Sequence, residues 1–155
     1  LTFSPEFLRA AHWKEDALNT EHFYLGGKGT QFWSDVLLQA LGPISISVES
    51  PADLVAAKVF RNSFLALKVS FFNQVYDYAK AHGLDYNAVA NVIGADERIG
   101  TSHTAVTEER GYGGHCFPKD VRAVIRSGQA YNARLTLLEE ADAYNSTIRR
   151  STSQD

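Results

Sequence analysis

The stretch RGYGGHCFPKDVRAVI, residues 110–125, holds Cys116, the only cysteine in the chain. A cysteine thiolate is a strong nucleophile, whereas a buried thiol behaves as a small inert hydrophobe. Gly111, Gly113 and Gly114 let the backbone pass close to a ligand. An apolar-periodic run follows the cysteine, with Pro118 near the first helical position, so Cys116 is expected just before a helix start. The free N–H groups and dipole of a helix start favour negative charge, and Lys119 adds a nearby cation. A lone cysteine is more often buried than reactive. The residues alone therefore leave both readings open.

A second pair lies far upstream. Lys58 and Asn62 stand at i and i+4 in a helical run, so they share a face. Their neighbours are mostly apolar. Lys58 either snorkels to solvent or sits in a cleft, and Asn62, a poor helix former in mid-run, needs a hydrogen-bond partner. The competing reading is a solvated helix edge.

These residues need elements to position them. HFYLGG (22–27) reads as a short apolar strand ended by glycines. TQFWSDVLLQALG (30–42) has helical spacing, with Gly42 as its stop, and PISISVES (43–50) alternates like a half-buried strand. A long helix is then expected over 51–82. Ser50 caps it, Pro51 suits its first position, Asp53 faces the positive end of the dipole, and Gly83 ends it. Its apolar residues, among them Leu54, Val55, Phe60, Phe64, Val69, Phe71 and Phe72, spread over several faces. Such a helix needs more than one neighbour, and a second copy of the chain is the expected one. A short helix over 84–94, capped by Asp85 and stopped by Gly94, an irregular loop over 95–117 and two further helices complete the chain before a frayed tail, STSQD. The expected fold is mainly α, a helical domain with one long helix preceded by a small α/β portion.

Composition excludes several classes. At 155 residues, 45% hydrophobic, 21% charged and net charge −3, the chain is an ordinary globular domain with no basic field for nucleic acid or acidic membranes. One cysteine gives neither an internal disulfide nor a cysteine zinc set. His12, His22, His82, His103 and His115 lack metal-ligand spacing, so no metal is expected. No apolar run approaches the length of a membrane span, and LTFSPEFL lacks the regions of a signal peptide. The expected compartment is the cytoplasm. LGGKGT (25–30) follows a strand but matches neither G-x-x-x-x-G-K-[ST] nor G-x-G-x-x-G. SPEFLR (4–9) reads as a turn entering a helix with Ser4 as cap and Pro5 first, and GADERIG (94–100) as a turn with a solvated charge cluster.

SPEFLR, ADLVAAKVFRNSFLALKVSFFNQ, GADERIGTS and GYGGHCFPKD, in that order, resemble the UDP-glucose/GDP-mannose dehydrogenases. The R-I-G and C-F-P-K-D variants look more like the UDP-glucose enzymes. The resemblance runs from Ser4 to about Arg149. It implies residues 1–49 as the last βαβ portion of an NAD-binding Rossmann-type domain, 50–150 as the helical central dimerisation domain, and 151–155 as a tail. The reaction it implies is oxidation of the C6 alcohol of UDP-glucose to the carboxylate, with NAD taking two hydrides and a cysteine thiohemiacetal and thioester on the way.

By matching position, Cys116 would be the nucleophile, Lys58 and Asn62 would stabilise the oxyanion, Asp120 would assist the hydrolytic water, and Glu6 would help thioester hydrolysis. Phe7, Leu8 and Arg9 match a segment whose backbone holds the sugar nucleotide, and Arg98 an arginine that reaches substrate across a dimer interface. Tyr112, Gly113 and Phe117 would line the sugar pocket, and Lys119 would bind the cofactor. The family often carries a second glutamate where this chain has Ala10. No dinucleotide fingerprint and no C-terminal UDP-binding part lie within these residues. The expectation is therefore a truncated relative that holds NAD weakly and is inactive alone. The alternatives are a homodimeric assembly module, working with a full-length dehydrogenase, and one half of a split enzyme completed by a separate NAD domain.

Overall fold

A computed structural model describes residues 1–9 and 12–151 of the chain. Ala10 and residues 152–155, most of the expected tail, lie outside the described residues. The elements run β1 (Thr2–Phe3), α1 (Trp13–Leu18), β2 (His22–Gly27), α2 (Thr30–Leu41), β3 (Ser45–Glu49), α3 (Pro51–Ala81), α4 (Tyr86–Gly94), α5 (Cys116–Ala130) and α6 (Thr136–Ser151). The protein is mainly helical, with one long helix and a small sheet. No described helix is long and apolar enough to cross a membrane. The chain divides into two compact units, Leu1–Lys58 and Val59–Asp155.

The first unit is a three-stranded sheet ordered β1-β2-β3 with two helices. β2 and β3 run parallel, His22 opposite Ser45 and Gly26 opposite Glu49, and α2 makes the connection. β1 pairs antiparallel to the end of β2, Thr2 opposite Gly27. Neither β1 nor α1 was legible in the sequence, because a two-residue strand and a six-residue helix carry no measurable period. The helix expected to start at Ser4 is absent, and residues 4–9 are irregular. Ile44 and Ile46 are half-buried as the alternation implies, but Val48 is exposed. The expected division at 49/50 follows the end of β3. The unit boundary falls later, because the first turns of α3 pack on the sheet: Leu54 is buried, and its side chain lies 3.0 Å from where a Cβ on Gly26 would stand.

α3 is 31 residues long, about 46 Å at the α-helical rise. Both of its ends are written in the sequence. The Asp53 N–H donates to Ser50 Oγ at 3.1 Å, and Ser50 Oγ donates back to the Asp53 carboxylate at 2.6 Å. At the other end Gly83 takes a positive φ of 65°. The Leu84 N–H donates to the Ala79 carbonyl and the Gly83 N–H to that of Lys80, a Schellman closure.

In the second unit, α4 starts on Asp85, whose carboxylate accepts the Asn87 N–H, as expected. α4 ends on Gly94 as expected, but Gly94 is its last helical residue rather than a left-handed stop, and Ala95 caps it. It is buried, and a Cβ there would stand 3.2 Å from the Thr101 side chain, so close packing rather than a left-handed turn favours glycine. The core gathers Ala66, Tyr112 and Val121, with Val69, Phe117 and Ile125 packed around them.

Candidate functional site

α5 begins one step earlier than expected. Cys116 is its first residue and Pro118 its third. The first N–H groups of a helix have no intrahelical acceptor, so a proline there breaks nothing. His115 caps α5 without a side-chain hydrogen bond. Cys116 is exposed, so the buried-thiol reading fails. Asp120 follows one turn later on the same face of α5, with its side chain 7% exposed. Asn62 Nδ2 donates to its Oδ2 at 2.6 Å, and Lys119 Nζ lies 3.3 Å from its Oδ1. The partner Asn62 needed is thus a buried carboxylate on the helix that carries Cys116. Asn62, Asp120 and Lys119 meet here, and Cys116 shares the α5 face of Asp120.

The remaining candidates sit differently. In the first unit Lys58 Nζ donates to Glu6 Oε2 at 2.5 Å, which fixes Lys58 as an ion-paired cation. Arg9 forks onto Asp16, which also accepts the Arg9 N–H at 2.7 Å. Those bonds hold the Asp16 carboxyl down at about 2. Phe7 packs edge-on against Tyr24, and Leu8 is half-buried.

In the second unit Arg98 forks onto Asp96 with its side chain 89% exposed. Tyr112 and Gly113 line a cleft of about 810 Å³ together with Arg122 and Arg149. Phe117 packs instead on the core and against His103. Burial, then the charge of Lys68, pushes His103 below the ordinary histidine range. Among the described residues no cluster of histidine, cysteine or carboxylate groups could hold a metal.

The glycine-rich turn between β2 and α2 follows a strand as a phosphate-binding turn would, and the chain itself fills it. A Cβ on Gly27 would stand 2.7 Å from the Leu1 carbonyl, and one on Gly26 2.9 Å from that of Glu49. The Lys28 N–H already donates to Leu1. These residues do not fit the pyrophosphate of NAD.

Sequence reasoning passed over the groups that hold the glycine-rich loop: Asn73, Arg110, Asn145 and Arg149. The signal was present for Asn73, a mid-helix asparagine in an apolar run like Asn62. Tyr112 OH donates to Asp142 at 2.8 Å and Tyr144 OH to Asp77 at 2.7 Å. Burial first, then these carboxylates, pushes Tyr112 far above the ordinary phenol range and Tyr144 up to about 12. A raised phenol means that the folded state binds the proton more tightly than the unfolded one. The stability from these bonds is therefore complete below the ordinary phenol value of 10.0 and lost as pH rises towards 12. Urea midpoints measured from pH 8 to 11 are expected to fall above pH 10, and to fall less steeply in Tyr144→Phe.

The central-domain model of the UDP-glucose/GDP-mannose dehydrogenase family matches residues 54–147. The UDP-glucose 6-dehydrogenase of Campylobacter jejuni is 32% identical over 129 residues, covering 81% of this chain and 32% of that protein. That of Pseudomonas aeruginosa is 32% identical over 147 residues, 92% of this chain and 32% of its own length. Among solved structures, a UDP-glucose dehydrogenase from the hyperthermophilic archaeon Pyrobaculum islandicum superposes with a TM-score of 0.83 at 32% identity, covering 94% of this chain and 34% of that one. The chain spans about a third of the length of these relatives.

Proposed function

The chain belongs to the UDP-glucose/GDP-mannose dehydrogenase family, and from that membership we propose that it carries the acyl-transfer half of a nucleotide-sugar oxidation, with Cys116 as nucleophile and a UDP-hexose as substrate. The observation that carries this reading is the Asn62–Asp120 hydrogen bond at 2.6 Å, one helical turn from an exposed Cys116 at the start of α5. The Cys116 thiolate adds to a C6 aldehyde and turns its oxygen into an oxyanion. Asn62, an amide donor, and Lys58, a cation one turn earlier on α3, stabilise that charge. Asp120 orients and deprotonates the water that later hydrolyses the thioester, and Glu6 carries the family's hydrolytic role by its matching position alone. The oxidations before and after the thiolate adds require a hydride acceptor. NAD is the family's acceptor, and the β2–α2 turn does not fit its pyrophosphate.

Two measurements test the reading. The C6 aldehyde of UDP-glucose is expected to slow iodoacetamide alkylation of Cys116 about tenfold at saturation, as a ligand covering a reactive thiol does, whereas UDP-glucose itself leaves the thiol reactive. An unchanged rate with the aldehyde refutes the nucleophile. UDP-glucose and NAD added to the 155-residue chain are expected to yield no NADH, and steady NADH overturns the claim that these residues do not turn over alone.

A second reading, self-association through the long helix α3 (Pro51–Ala81), is favoured by a specific surface. Phe64 and Phe71 of α3 are more than half exposed and, with Ile99 and Leu137, line an apolar cleft of about 650 Å³ that Arg98 borders. Contiguous apolar surface of this kind marks interfaces. Light scattering at micromolar concentration is expected to give a dimer, and Phe64→Asp with Phe71→Asp a monomer. A monomeric wild type removes this reading.

A further inference from the structure

The loop leading to Cys116 is gripped at its start by side chains from two helices. Arg110 and Gly111 are consecutive left-handed residues, with φ of 56° and 55°. An arginine seldom adopts this conformation unless its surroundings impose it. Asn73, on α3, is 1% exposed. Its Nδ2 donates to the Val69 carbonyl of its own helix at 2.9 Å, which turns Oδ1 outward. That oxygen accepts both Arg110 Nε at 2.8 Å and the Gly111 N–H at 3.0 Å. Asn145, on α6, is 5% exposed. It accepts the Tyr112 N–H at 2.7 Å and donates to the Tyr112 carbonyl at 3.0 Å, as a neighbouring strand would. Arg149 donates to the Arg110 carbonyl at 2.8 Å.

Leucine at 73 and 145 would be simpler to bury. Buried amides whose donors and acceptors are satisfied instead specify one backbone path. Beyond Tyr112 only Gly113, Gly114 and His115 separate this grip from Cys116, and Gly114 has open space around it. We propose that Asn73 and Asn145 are positioning residues for Cys116: they fix the course of residues 110–112 and thereby set where the thiol stands at the start of α5. The inference rests on Cys116 being the nucleophile.

Two readouts test it on the 155-residue chain: the iodoacetamide alkylation rate and the Cys116 amide resonance. Asn73→Leu and Asn145→Leu, still unfolding cooperatively in urea, are expected to change the alkylation rate about fivefold, because small misplacements of a reacting group are costly, and to shift the Cys116 resonance. Asn73→Asp keeps the acceptor oxygen and is expected to restore both. Leu138→Ala, a core change elsewhere in the unit, is expected to lower stability and move neither. Wild-type rate and resonance in the leucine variants, or equal changes in Leu138→Ala, overturn the proposal. If the leucine variants do not fold, Asn145→Asp decides. It keeps the acceptor for the Tyr112 N–H but loses the donor to its carbonyl, and an unmoved Cys116 resonance refutes the proposal. A wild-type chain that alkylates no faster than the urea-unfolded chain refutes the nucleophile instead, and the resonance alone then judges the positioning.

Discussion

Gly111→Ala is expected to destabilise the second unit by about 3–5 kcal/mol, from about 1–2 for a left-handed non-glycine residue and the rest from buried hydrogen bonds left unmade. The backbone at Gly111 has a φ of 55°. An added Cβ would stand 2.1 Å from Asn145 Oδ1 and 3.0 Å from Ile148 Cδ1. Asn145 would have to withdraw and leave the backbone N–H and carbonyl of Tyr112 without its hydrogen bonds. Gly114→Ala is the internal control. Its φ is 74° but nothing lies within 4 Å of the added methyl, so only the conformational cost of about 1–2 kcal/mol applies. Urea denaturation of both variants measures the difference. Equal losses would mean that the Asn145 contact contributes nothing.

The second large effect falls on the site itself. Asn62→Leu removes the hydrogen bond to Asp120, whose side chain is only 7% exposed. Lys119, at 3.3 Å and itself 61% exposed, is a weak substitute. A charge-assisted hydrogen bond contributes about 1.5–3 kcal/mol, and stranding a buried carboxylate costs at least as much. The loss is expected to be about 2–4 kcal/mol by the same reasoning, and Asp120→Ala in the Asn62→Leu background should recover part of it. A double-mutant cycle by urea denaturation reads the coupling. Additive losses would show that the two residues do not interact.

Long-period elements were readable in the residues. Ser50, Asp53 and Gly83 mark the ends of α3 through capping chemistry confined to a few neighbouring positions, and Asp85 does the same for α4. β1 was not readable, because its backbone bonds come from β2 rather than from a local pattern, and α1 was not, because six residues carry no measurable period. Gly94 marked the end of α4 but not the reason a glycine stands there. A glycine that ends a helix and a glycine that admits a close neighbour look the same until Thr101 is seen beside it.

The candidate site divides in the same way. Side-chain chemistry is local, so the sequence by itself determined that Cys116 stands near a helix start beside Lys119, and that a mid-helix Asn62 needs a partner. Only the tertiary structure decided that Cys116 is exposed, that the partner of Asn62 is Asp120, that Glu6 pairs with Lys58, and that Asn73 and Asn145 grip the loop. Those contacts join residues 33 to 58 positions apart. Burial and pairing at such separations depend on how α3, α5 and α6 pack and how the first unit folds, which no local spacing encodes.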